Sequence, residues 1–220
     1  MISSNLQKIK SQLPSEVTLV AVSKFHPVER LQEAYEAGQR VFAESRPQEL
    51  AAKVPLLPAD ICWHFIGHLQ TNKLKRVLPY VSLVQSVDSL HLLDAIDKWG
   101  REQGKVIDIL LELHLGAEAT KQGLSEEEIL RCCSEAHPPL NHVRIRGLMG
   151  MATNTEEAAV IEADFARIEA LFKRIREERP DLSDTFTELS IGMSADWPIA
   201  VRHGATMVRI GTDIFGPREY

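Results

Sequence analysis

Eight short apolar stretches alternate with stretches of helical period along the 220 residues, and this alternation constrains the fold more than any single motif. The strand candidates are "VTLVAVS" (17–23), "RVFAES" (40–45), "ICWHFIG" (61–67), "VSLVQSV" (81–87), "VIDILLELHL" (106–115), "HVRIRGLMG" (142–150), "TFTELSIGM" (185–193) and "TMVRIG" (206–211). Between them lie helix candidates. "PVERLQEAYEAG" has Pro27 at its start and Gly38 past its end, "LSEEEILRCCSEA" offers Ser125 as a cap, and "TEEAAVIEADFARIEALFKRIREE" offers Thr155. Several strands are apolar throughout, as strands buried on both faces must be, so a parallel sheet covered by helices follows. Closing it predicts an α/β fold of the (β/α)8 TIM-barrel type, at the short end of its length range, with an extra N-terminal helix over residues 2–12. An open doubly wound sheet is the alternative, but no GxGxxG follows the first strand. No Ser/Gly/Pro-rich linker divides the chain, so residues 1–220 read as a single domain.

Charge and composition exclude several function classes. A net charge of -6 and the lack of any basic and aromatic run argue against nucleic acid as a partner. The start "MISSNLQKIK" has no apolar core of a signal peptide, and no stretch approaches the ~18 apolar residues of a membrane span, so no membrane is expected and the protein reads as cytoplasmic. Cys62, Cys132 and Cys133 form neither a CxxC motif nor a disulfide framework, and read as reduced, packed thiols. His64 and His68 in "HFIGH" span a strand end and a turn rather than one helical face, so no metal site is expected.

If the sheet closes, the first strand lies beside the eighth, and Lys24 at the end of "LVAVSK" neighbours "RIGT" at the mouth where barrel sites are built. The loops after strands 7 and 8, "SIGMSADWP" and "RIGTDIFG", suit a phosphate. Gly192 and Gly211 permit close backbone approach, and Ser194 and Thr212 add hydroxyls. Beside a phosphate, Lys24 is either a point-charge ligand or a Schiff-base amine. Strand alternation turns Arg209 to the same side as Gly211, towards the mouth, with a salt bridge to Glu188 as its structural alternative. Ser194 alone also fits a helix N-cap, and Met149 and Met151 fit barrel packing.

The segments "AVSKFHP", "WHFIGHLQTNK", "RGLMGMA", "LSIGMSADW" and "MVRIGTDIFG", in this order, resemble the signatures of the pyridoxal phosphate homeostasis proteins, whose fold resembles the barrel domain of alanine racemase. The resemblance runs from the first strand to the last residue. It implies pyridoxal 5'-phosphate (PLP) as cofactor, held on Lys24 as an internal aldimine (a Schiff base). Ser194, Gly211 and Thr212 would be on its phosphate, Arg209 at the pyridine nitrogen, and Met151 and Met193 close by. A cation at that nitrogen weakens the ring as an electron sink. The related racemases and decarboxylases complete their sites with a C-terminal β domain, for which no segment is expected after "IFG".

The resemblance therefore implies a PLP-binding protein of vitamin B6 homeostasis, not an enzyme with substantial turnover. PLP-dependent apoenzymes are its candidate acceptors, and a monomer is expected. A PLP-dependent amino-acid racemase or decarboxylase is the alternative, and a cofactor-free Schiff-base aldolase a third reading. The chain departs from the family in "FAESRPQE", where Ser45 stands in place of the usual asparagine with a shorter reach, so its cofactor contact carries over only weakly. Lys121 in "LGAEATKQG" matches a family lysine that makes a secondary contact.

Overall fold

The computed structural model describes residues 1–116, 122–134 and 139–217. The elements follow in the order α1 (Ile2–Lys10), β1 (Thr18–Val22), α2 (Val28–Glu36), β2 (Val41–Glu44), α3 (Pro47–Lys53), β3 (Cys62–Phe65), α4 (Leu74–Val77), β4 (Leu83–Val87), α5 (Leu90–Gln103), β5 (Ile107–Leu113), α6 (Glu126–Cys132), β6 (Val143–Gly150), α7 (Ala158–Glu178), β7 (Glu188–Met193), α8 (Trp197–Arg202), β8 (Met207–Ile210) and α9 (Thr212–Phe215). The strands close into one barrel in sequence order, every neighbour parallel. Closure pairs β1 with β8, aligning Val20 with Arg209 and Ala21 with Ile210. Each expected strand is present, usually trimmed by one to three residues at its ends.

Two apolar layers hold the barrel. A small inner cluster of Val20, Val22, Ala43, Leu83, Leu110, Met149 and Met207 fills part of the interior, and a much larger one joins the outer strand faces to the helices. Period-two alternation explains the split: β1 sends Val20 and Val22 inward and Leu19 and Ala21 towards the helices. The extra N-terminal helix is shorter than expected. Its Ile2, Leu6 and Ile9 are buried, and Asn5 Nδ2 donates to the Ile214 carbonyl at 3.0 Å, tying α1 to α9.

Local signals fared unevenly. Ser125 forms a full capping box with Glu128 at the start of α6, as an acidic first turn favours. Thr155 does not cap α7, which starts at Ala158. Its hydroxyl accepts from the Glu157 amide, so the Thr hydroxyl builds a turn ahead of the helix. Among the described residues no helix is long and apolar enough to cross a membrane.

Candidate cofactor site at the barrel mouth

Lys24 follows β1 by two residues. Because Val20 and Val22 point inward, the alternation carries Lys24 to the mouth while Ser23 turns outward, fully buried. Ser23 Oγ donates to Glu44 Oε1 at 2.7 Å. Lys53, the last residue of α3, sends its ammonium to Glu44 Oε1 at 2.7 Å, to the Ser23 carbonyl at 2.9 Å and to Glu49 Oε2 at 3.0 Å. The same Glu49 oxygen accepts from the Phe25 amide at 2.8 Å. Phe25 has φ 68°, left-handed backbone that a bulky residue rarely adopts without support. The Arg46 guanidinium lies over its ring at 4.2 Å. Burial pushes the Glu44 carboxyl up against the pull of Lys53 and Ser23. For Glu49, burial is outweighed by the Phe25 amide, Lys53 and Arg46, and the net shift is downward.

The turns after β7 and β8 stand beside each other, since Met193 is in register with Arg209. Gly192 has φ +91°, and a Cβ there would lie 2.6 Å from Ala200 Cβ, so only glycine lets the chain turn this tightly against α8. Asp196, buried, accepts from the Met193 amide at 2.5 Å and closes the turn. Asp196 is also the residue that precedes α8, so Ser194 is not the N-cap of that helix. A Cβ on Gly211 would sit 3.1 Å from the Val22 carbonyl oxygen, which brings the β8 turn directly against the strand that ends in Lys24. Among the described residues the amides of Ser194, Gly211, Thr212 and Asp213, and the hydroxyls of Ser194 and Thr212, have no protein partner.

Arg209 enters the mouth from β8 and is almost fully buried. Its Nη1 donates to the Ser190 carbonyl and to Ser190 Oγ, both at 2.7 Å, and its Nη2 to the Gly150 carbonyl at 2.9 Å. The alternative salt bridge to Glu188 is overturned, because Glu188 Oε2 accepts from Thr206 Oγ1 instead. Nε–H has no acceptor among the described residues. Burial lowers the guanidinium pKa to about 10 against the attraction of Glu112 and Asp196, so Arg209 stays a cation at neutral pH.

A chain of hydrogen bonds runs from Arg209 through the interior. Ser190 Oγ donates to Gln85 Oε1 at 2.7 Å, and Gln85 Nε2 lies 2.8 Å from His64 Nδ1. His64 Nε2 then approaches Cys62 Sγ. Every link runs away from the guanidinium, which assigns the His64 proton to Nε2. Burial holds the His64 pKa near 4, so the ring is neutral. Glu112, buried on β5, is raised to about 7 by burial and by Asp88, against the pull of Arg209.

The closed barrel thus brings Lys24, Ser194, Arg209, Gly211 and Thr212 to one end. Met151 and Met193 are there too, each 38% exposed at the ends of β6 and β7, whereas Met149 is packed in the inner cluster. Ser45 is half-buried just after β2, with no partner for its hydroxyl among the described residues. His64 and His68 part company, His68 Nδ1 lying 2.7 Å from Asp88 Oδ2. Lys121 lies outside the described residues. Sequence reasoning missed Lys53, Glu44, Glu49, Gln85, Ser190 and Glu112. For Glu44, Gln85, Glu112 and Ser190 the signal was a polar side chain inside an apolar strand segment, which only partners far along the chain make meaningful, whereas Glu49 and Lys53 on α3 carry no such signal.

Comparison with known proteins decides the family. The alanine racemase N-terminal domain family matches residues 1–219. The pyridoxal phosphate homeostasis protein of Pasteurella multocida is 36% identical over 100% of this chain and 95% of its own length. That of Aquifex aeolicus is 38% identical over 92% of this chain and 87% of its own. The chain belongs to the pyridoxal phosphate homeostasis proteins, within the alanine racemase N-terminal domain family. Among solved structures, PipY of Synechococcus elongatus superposes with a TM-score of 0.91 without PLP and 0.87 with PLP bound, at 38% identity over 98% of this chain and 100% of PipY. Alanine racemase of Clostridium difficile, 14% identical, shares the fold over 57% of its length with a TM-score of 0.73.

Proposed function

We propose that this pyridoxal phosphate homeostasis protein holds PLP at the barrel mouth, attached through Lys24, and serves vitamin B6 balance without substantial turnover. The observation that carries the reading is the close approach of the Gly211 turn to Val22, two residues before Lys24, beside amides and hydroxyls that have no protein partner among the described residues. The donor set fits the cofactor. The amides and hydroxyls of Ser194, Gly211 and Thr212 match a phosphate, which only accepts, and the Arg209 Nε–H matches an unprotonated ring nitrogen. PipY, 38% identical, is described with PLP bound.

PLP, when bound, supplies an electron sink for carbanion chemistry at amino-acid substrates. This chain's residues bind and orient it. Lys24 supplies the amine, the two turns hold the phosphate, and Arg209, kept cationic and fixed by Ser190 and Gly150, disfavours a proton on the ring nitrogen and so weakens the sink. Met151 and Met193 lie along the rim. Ser45 is a weaker contact than an asparagine there. The reading extends to a single domain over residues 1–220, monomeric and cytoplasmic, with PLP-dependent apoenzymes as acceptors.

The test is the visible spectrum of the purified protein beside Lys24→Ala, before and after borohydride reduction, with mass mapping of the adduct. The expected result is a yellow band in wild type, trapped on the Lys24 peptide and absent from the variant. An adduct found only elsewhere overturns the assignment. Steady turnover of any amino acid, lost in Lys24→Ala, would establish a racemase or decarboxylase instead.

A further inference from the structure

Lys53 is an unusual residue to find in a protein interior. Its side chain is 8% exposed, and lysine is among the residues least often buried. All three ammonium protons are taken, by Ser23 O, Glu44 Oε1 and Glu49 Oε2, so the group is saturated and held at a single point. An ion cluster of this kind is a poor source of stability, because well-packed apolar side chains serve as well or better, and its best use is to enforce a geometry.

The geometry enforced here belongs to Lys24. The Ser23 carbonyl is half of the peptide group before Lys24, and the Phe25 amide is half of the one after it. Lys53 holds the first and Glu49 holds the second, while Lys53 and Glu49 hold each other. With both flanking peptide planes fixed, the Lys24 backbone dihedrals are set. The left-handed Phe25 shows that the segment is constrained, since a bulky residue persists there only where its surroundings over-determine it. Glu44 completes the device by drawing Lys53 and Ser23 Oγ together on one oxygen.

We infer that Lys53, Glu44 and Glu49 act as a clamp that positions Lys24 for attachment to its cofactor. This role presupposes the reading of Lys24 given above. In the attachment the neutral Lys24 amine adds to the aldehyde carbon, a C=N bond replaces the C=O bond, and the oxygen leaves as water with the two amine protons. Nothing is oxidised or reduced. The rate depends on the approach of Nζ to that carbon, which the clamp governs, whereas the hold on the phosphate depends on the turns after β7 and β8, which it does not touch.

The experiment separates the two. Wild type, Glu49→Ala and Glu49→Gln are mixed as apoproteins with PLP, and the rate of adduct formation on Lys24 is followed by absorbance and borohydride trapping. Affinity for pyridoxine 5'-phosphate, which has the phosphate and ring but no aldehyde, is measured alongside. Glu49→Ala, which leaves the Phe25 amide without its acceptor, should slow attachment by about tenfold with pyridoxine 5'-phosphate affinity unchanged. Glu49→Gln, whose amide oxygen still accepts, should recover most of the rate. Lys53→Met should show the same split wherever its circular dichroism remains native. Attachment at the wild-type rate in Glu49→Ala, or equal losses for both ligands, overturns the clamp. A wild-type protein that traps nothing on Lys24 removes the reading of Lys24 and the clamp with it, so the two failures are told apart by the wild-type sample.

Discussion

The hydrogen-bond chain inside the barrel and the ion cluster between the barrel and α3 meet the same difficulty, burial of groups that prefer water, with different chemistry. Inside, one permanent cation, Arg209, passes its polarity through neutral partners, Ser190, Gln85 and a His64 whose pKa lies near 4. Outside, two carboxyls and an ammonium share a few ångströms, and Glu44 Oε2 is buried without a partner. The inner chain spreads one charge and faces the mouth, whereas the outer cluster concentrates charge and grips backbone. Neutral relays tolerate the loss of a link, because what is stranded is a dipole. Ion clusters do not, because what is stranded is a charge.

The largest expected effect follows from that difference. Lys53→Met strands Glu44 beside Glu49 and should cost about 3–5 kcal/mol in chemical denaturation at neutral pH. A loss under about 1 kcal/mol would show that the outer cluster relaxes as easily as the inner chain and would erase the contrast.

Titration gives the next effect. His64 in the fold sits near 4, below its ordinary 6.5, so the unfolded chain binds a proton the folded one refuses. Its stabilisation is full above about pH 6.5 and lost as pH falls towards 4. Glu112 is raised to about 7 from 4.5, so the folded chain keeps a proton that the unfolded one releases. That contribution is full below about pH 4.5 and lost as pH rises through 7. Between about pH 4.5 and 6.5 the two slopes oppose each other. Glu112→Gln should therefore expose a loss of about 1.4 kcal/mol per pH unit on acidification in this window, and His64→Gln the opposite slope, both read from denaturation midpoints across pH. Parallel pH profiles for the two variants would mean that neither group titrates as the burial argument requires.

The smallest effect belongs to the relay itself. Gln85→Leu leaves Ser190 Oγ without its acceptor and His64 Nδ1 without its donor, at a cost of about 1–3 kcal/mol. In the proposed attachment of PLP through Lys24, Gln85→Leu should keep the wild-type rate, because it touches none of Lys53, Glu44 and Glu49. A slowed attachment would show that the two clusters are coupled across the barrel wall.

Much of the architecture could be read from the chain. The eight strands stand where apolar runs lie between turn residues, closure of the sheet sets Lys24 at the end of the first strand beside "RIGT", and period-two alternation in the last strand turns Arg209 to the mouth. The tight turns after β7 and β8 were legible too, because Gly192 and Gly211 sit at strand ends where backbone must turn or approach closely. Thr155 was misread for a local reason, a hydroxyl that serves a turn as readily as a cap.

What the sequence by itself determined is the barrel, its order of strands and the end at which Lys24, Ser194, Arg209, Gly211 and Thr212 gather, because each follows from hydrophobic period and turn chemistry within a few residues. Only the tertiary structure decided what holds them. Lys53 finds the Ser23 carbonyl 30 positions away, and Ser190 finds Gln85 at a separation of 105. Neither pairing can be read locally: Ser190 and Gln85, polar residues in apolar strands, show only that a partner must exist, Lys53 on α3 looks like any helix lysine, and the closure of the sheet selects the partners.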